Sequence, residues 1–200
     1  MTSPSAPAAS IGHNGGPAMD DGVAWRRHCW TVARAELLPH LPLEVIRLRV
    51  RRAKQLGLDY RTYAAARETS GRDIIAFLYS SNALRILRPG DRLPEDRAAR
   101  IGAVESCAHA LLAHRPLEPA ALAATLEAGA GIVVAGAAPA PNVWASWSEL
   151  RARVLTALRP AGLAPAGVML IGDAPGERDW RESARLGSYL PADRCFAAPS

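Results

Sequence analysis

Hydrophobic positions in this chain come in two textures. Between Trp25 and about Leu87 they recur at helical spacing among arginines, whereas after Gly129 they gather into short apolar runs bounded by Gly and Pro. The clearest run is Val168-Met169-Leu170-Ile171, bracketed by Gly167 and Gly172. It predicts a buried strand that ends in an acidic turn at Asp173 and opens a helix near Glu177. In an α/β domain the carboxyl end of a parallel strand is where ligands usually sit, so Asp173 is well placed for a site.

The helical texture resolves into elements by its punctuation. Ala24 to Leu38 reads as a first helix, stopped by Pro39 and Pro42. A second runs from Pro42 to Leu56, with Gly57 as its C′ residue. Ile46 to Arg51 alternates with period two, as a strand would, but it continues unbroken into Arg52 to Leu56, which favours helix. Asp59 caps a third helix to Glu68, and Gly71 separates it from a fourth, Arg72 to Leu87. After the turn Arg88-Pro89-Gly90-Asp91, Pro94 opens a long helix to about His114, and another runs from Pro119 to Ala128.

Ile132 to Ala135 is then a short strand, and Ala137 to Asn142 a Pro-broken loop. Ser146 and Glu149 have capping-box spacing; the helix they start carries Leu150, Val154 and Leu158 on one face and ends at Gly162 and Pro165. The strand Val168 to Ile171, a helix from Glu177 to Leu186 and a short strand from Arg194 to Ala197 complete the chain. Strand, helix, strand makes a βαβ unit with a parallel sheet covered on both faces. The expected fold is α/β, mostly helical: an Arg-rich N-terminal helical region followed by a small βαβ unit with a short parallel sheet. Residues 1–22 are too poor in large apolar side chains to fold and read as a disordered leader. Residues 23–90 form the basic helical region and 91–200 the helices and small α/β region; the short 88–95 link leaves open one shared domain.

Composition changes this picture in two ways. The net charge of +5 is uneven: residues 24–100 carry a net +8, and the rest is slightly acidic. That balance suits an anionic partner such as nucleic acid or an acidic protein, or a solvated Arg-rich surface. Three scattered cysteines, Cys29, Cys107 and Cys195, with no C-x-x-C pair, fit reduced thiols rather than a disulfide framework. With no secretory signal pattern and no 18-residue apolar stretch, the expectation is a cytoplasmic protein without membrane association.

Ile11-Gly12-His13-Asn14-Gly15-Gly16-Pro17 resembles a leader recurring in otherwise unrelated proteins of alphaproteobacteria and their prophages. Leu56 to Tyr63 and Gly71-Arg72-Asp73 look like an uncharacterised family from the same bacteria. These resemblances imply a lineage and no particular activity.

Two constellations carry candidate chemistry. The first is Gly172, Asp173, Glu177 and Asp179. A phosphate cradle offers amides and a cation, whereas this turn surrounds its amides with three acids. A divalent cation such as Mg²⁺ suits it better. The turn resembles the last metal-binding motif of haloacid-dehalogenase-like phosphatases, with Gly172, Asp173 and Asp179 matching. That resemblance implies a metal-dependent or phosphate-directed enzyme, but the family's Asp-x-Asp nucleophile pattern is absent. The turn also resembles the first motif of some uracil-DNA glycosylases, whose remaining motifs and cluster cysteines are missing. The plainer reading has Asp173 capping the helix, while Glu177 and Asp179 favour its positive end.

The second constellation is Arg47, Arg49, Arg51, Arg52 and Lys54, with Tyr60, Arg61 and Tyr63 behind it. On a helix Arg47, Arg51 and Lys54 share a stripe that can track phosphates, and exposed tyrosines can stack on bases. A helix-turn-helix over 45–56, 59–69 and 72–87 is conceivable, although Ile74, Ile75, Phe77 and Leu78 make its last helix too apolar to read bases. His28-Cys29 and the His109/His114 pair lack the companions of a zinc site, and no base stands beside any cysteine to make it a nucleophile. Trp144, Trp147 and Trp180 read as packing residues. The favoured function is a non-enzymatic accessory or regulatory protein that binds an anionic partner through its basic half, with no catalytic residue and no cofactor. The alternatives are an enzyme centred on Gly172-Asp173, with Mg²⁺ under that reading alone, and a protein-interaction module of phage origin.

Overall fold

Asp59 and Gly71 delimit one helix as their chemistry predicts. Asp59 accepts the Thr62 amide at 2.8 Å, and Gly71 closes the helix at φ 66°, where a side chain would be strained. The structure, a computed structural model, describes residues 41–197. The leader, the helix expected over 24–38, and His28-Cys29 lie outside these residues. Helices α1 (Leu43–Gln55) and α2 (Tyr60–Ser70) stand where expected.

The next segments depart from the helical reading. The fourth helix is replaced by strand β1 (Ala76–Ser80) and a helical turn, α3 (Ser81–Leu84). The long helix to His114 is instead α4 (Glu95–Gly102) followed by strand β2 (Ala108–Ala113). Then come α5 (Pro119–Ala130), β3 (Val134–Pro139), α6 (Trp147–Leu158), β4 (Val168–Gly172), α7 (Glu177–Ala184), β5 (Ser188–Pro191) and α8 (Ala192–Cys195). Strand β3 takes in residues expected in the Pro-broken loop. The strand expected at Arg194–Ala197 is absent; β5 precedes it and α8 covers Arg194. The Ser146–Glu149 capping box forms as its spacing predicts.

All five strands are parallel, in the order β3-β2-β1-β4-β5. This is an α/β fold whose sheet draws its central strand, β1, from the Arg-rich region. Phe77, Tyr79, Leu111, Ala113, Met169 and Ile171 pack on one face with Leu56, Tyr63, Ile101 and Leu126. Ala76, Leu78, Ala110, Leu112, Val168 and Leu170 pack on the other with Val154, Leu158 and Trp180. Both faces are buried, so the central strands carry no polar alternation, as parallel sheets require. Gly136 permits the closest of these approaches: a Cβ there would lie 2.2 Å from the Ala157 carbonyl oxygen. Strand order reverses between β1 and β4, and at such a switch point the carboxyl ends of the strands leave a crevice.

His109, in β2, is buried with its Nδ1 3.3 Å from the Tyr79 hydroxyl. Burial holds its pKa down at about 4, against an ordinary 6.5. The unfolded chain therefore binds the extra proton between those values, so stability rises with pH across that window and is lost as the solution is acidified through it. The expected slope is at most about 1.4 kcal/mol per pH unit. Carboxylates held below their ordinary range, Asp59 and Glu177 among them, add their own loss from about pH 4.5 downward, so the upper part of the window reports His109. Urea unfolding at stepped pH should show this loss, and His109→Gln should flatten it. An equally steep loss in the variant would assign it to another group.

Candidate functional site

Strand β1 runs out into Ser80-Ser81-Asn82, and all three side chains turn to the neighbouring strand ends. The Ser80 hydroxyl donates to Glu177 Oε2 at 2.8 Å and accepts the Ala83 amide at 3.1 Å, capping α3. Ser81 Oγ accepts the His114 amide at 3.2 Å and so fixes the end of β2. Asn82 Nδ2 donates to Glu177 Oε1 at 2.9 Å, and His114 Nε2 meets the same oxygen at 2.8 Å. From the turn after β4, the amides of Asp173 and Ala174 reach Oε2 at 2.7 and 3.2 Å. Five groups thus converge on one carboxylate that is 1% exposed.

Burial alone would raise the Glu177 pKa. Hydrogen bonds from His114, the Asp173 amide, Ser80 and the Ala174 amide together outweigh it and hold the carboxyl below its ordinary range. The ionised carboxylate is acceptor only, so the pair is satisfied with Nε2 of His114 carrying a proton. Gly172 makes room for it, since a Cβ there would lie 2.7 Å from Glu177 Oε2.

This arrangement revises the acidic turn. Asp173 does not cap α7: the N-cap position is Gly176, without a side-chain cap bond, and Glu177 reaches back from the first helical turn instead. Asp173 and Asp179 are exposed. Mg²⁺ does not fit here. A carboxylate has about four lone-pair sites, and those of Glu177 already face five donors. No group of three metal-ligating side chains occurs among the described residues. The phosphatase resemblance fails at the neighbouring strand too, where Ser80-x-Asn82 has the spacing of Asp-x-Asp but no carboxylate.

The basic run divides. Arg47, Arg51, Lys54 and Arg61 are exposed, Tyr60 is 37% exposed and Arg49 is half-buried. Arg52 is committed to the fold: it bonds Asp73 at 3.1 Å and the carbonyls of Ile74 and Ser106 at 2.9 and 3.1 Å. Tyr63 is buried and donates to Asp73 Oδ1 at 2.7 Å, so it cannot stack on a base. The helix-turn-helix is ruled out because its third helix is β1. Cys107 and Cys195 are poor nucleophiles, their thiols pushed up to about 12 by burial. His109 and His114 stand in and just beyond β2, not on a helix.

Sequence reasoning missed Ser80, Asn82 and the pairing of His114 with Glu177. The available signal was an apolar run, Ile74 to Tyr79, ending in cap-forming Ser-Ser-Asn. It also misplaced two tryptophans. Trp180 is buried, against the His114 ring at 5.3 Å, but Trp144 is 90% and Trp147 56% exposed. Trp144, His114, Arg115 and Arg153 line a cleft of about 840 Å³ at the carboxyl ends of β2 and β3.

Glu177→Ala should lower the unfolding free energy by about 3–5 kcal/mol, the loss typical of breaking a buried charged pair. Asp173→Ala should leave the unfolding midpoint unchanged. Urea unfolding near neutral pH checks both, and a larger effect at Asp173 would overturn the assignment of the cap to Glu177.

No protein-family model, curated protein or solved structure matches the chain, which leaves the geometry of these residues to carry the functional reading.

Proposed function

We propose that this is a cytoplasmic, non-enzymatic accessory protein whose helix α1 binds an anionic partner, nucleic acid foremost. The observation that carries the reading is the stripe Arg47, Arg51 and Lys54: three exposed cations at i, i+4 and i+7, none in an ion pair among the described residues. The stripe extends about 10 Å along the helix, the axial run of roughly three phosphates of one strand. Arg61 and Tyr60 lie just beyond it in sequence, at the start of α2. Contacts of this kind position a backbone without reading sequence. The saturated Glu177 supports a non-enzymatic reading of the switch point, because its own carboxylate already takes up the five donors gathered there. Among the described residues no helix is long and apolar enough to cross a membrane.

The same helix exposes Leu43, Leu48 and Val50. This favours, as the second reading, an acidic protein partner held by a mixed basic and apolar face, as in an interaction module of phage origin.

Duplex DNA binding should fall steeply with salt, and the triple variant Arg47→Ala, Arg51→Ala, Lys54→Ala should lower the log–log salt slope by roughly 2–3. Fluorescence anisotropy with a labelled duplex measures it. Absence of binding at low salt, or an unchanged slope, removes the nucleic-acid reading and leaves co-purification to identify a protein partner.

A further inference from the structure

The cleft beside His114 joins features that the fold does not require. Its floor is formed where β2 and β3 end, and α6 supplies one wall. Its volume of about 840 Å³ falls within the roughly 300–1,000 Å³ of small-molecule sites. Trp144 lines it from a built turn: the Trp144 amide donates to Asn142 Oδ1 at 3.3 Å and the Ala145 amide to the Asn142 carbonyl at 3.0 Å. An indole 90% exposed on a hydrogen-bonded turn is a stacking surface without a partner.

The polar lining has a matching pattern. Arg115 and Arg153 are exposed, and neither forms an ion pair among the described residues. Guanidinium groups suit a phosphate, which they bind through paired N–H donors. Of the two acids in the lining, Glu149 is committed to the Ser146 amide and hydroxyl at 2.7 and 2.8 Å. Glu118 has no such commitment and stands as an acceptor for hydroxyl or amino donors. His114 adds a ring fixed at Nε2 by Glu177, whose Nδ1 has no hydrogen-bond partner among the described residues.

We infer that this cleft binds a nucleoside monophosphate, its base stacked on Trp144, its phosphate on Arg115 and Arg153, and its sugar hydroxyls toward Glu118. The site is separate from the α1 stripe and does not depend on the reading given to that helix.

Calorimetric titration of the full chain with adenosine monophosphate, adenosine and inorganic phosphate, in separate arms, tests this. The monophosphate should bind more tightly than either fragment and quench tryptophan emission. Trp144→Ala and Arg153→Ala, both at exposed positions that the core does not need, should each weaken binding roughly tenfold or more, and Trp144→Ala should abolish the quench. The triple α1 variant should bind the monophosphate unchanged, which separates this site from the stripe. No binding up to about 10 mM, a range that still registers interactions weaker than millimolar, would overturn the inference. So would equal affinity for inorganic phosphate, or full affinity in both variants.

Discussion

The carboxylate of Glu177 is the point at which three strand ends are made to agree. Ser80 and Asn82 bring in the end of β1, His114 the end of β2, and the Asp173 and Ala174 amides the turn after β4. A buried charge is costly unless its lone pairs are satisfied, and here donors from separate elements must all arrive together. That requirement links β1 and α7, nearly a hundred residues apart in sequence, and fixes α7 over the carboxyl edge. Gly172 belongs to the same constraint, since any side chain there would press on the carboxylate.

A second carboxylate organises the opposite edge. Asp73, just before β1, receives Arg52 from α1 and the Tyr63 hydroxyl from α2, with Arg67 at 3.6 Å. Arg52 also reaches the carbonyls of Ile74 and Ser106, ahead of β1 and β2. Arg52 of the basic run, and Tyr63 behind it, are therefore internal fasteners. What remains exposed on α1 is a narrower stripe with a defined helical period, and that narrowing makes its chemistry more specific than the net charge suggests.

Legibility in the sequence followed local chemistry. Strand β4 was readable because Val168 and Ile171 are β-branched and Gly167 and Gly172 bracket them; α2 and α6 were readable from caps that close within three residues. Strands β1 and β2 were not. Ala76-Phe77-Leu78-Tyr79-Ser80 and Ala108-His109-Ala110-Leu111-Leu112-Ala113 contain no β-branched residue, and burial on both faces removes the period-two signal. Alanine and leucine favour helix locally, and only the flanking strands impose the extended form. The site inherited the same blindness. Asp173 and Glu177 stood out as acids, but their donors lie at the ends of the two strands that read as helix, so cap and plug could not be told apart.

The geometry also moves the chemical interest of the fold by one strand. At the β1–β4 switch point, where an α/β sheet ordinarily receives a ligand, the protein's own Glu177 occupies the donors that an anion would use. A carboxylate tethered in the chain competes at high effective concentration, so an external anion gains little there. His114 is the exception, because it is fixed by the plug yet remains 28% exposed and lines the neighbouring cleft. A ring held at one nitrogen presents the other in a fixed direction at low entropic cost, as happens when a carboxylate orients a metal-binding imidazole from behind. The plug thus closes one crevice and preorganises the wall of the next, where Arg115, Arg153 and Trp144 are the groups still open to solvent.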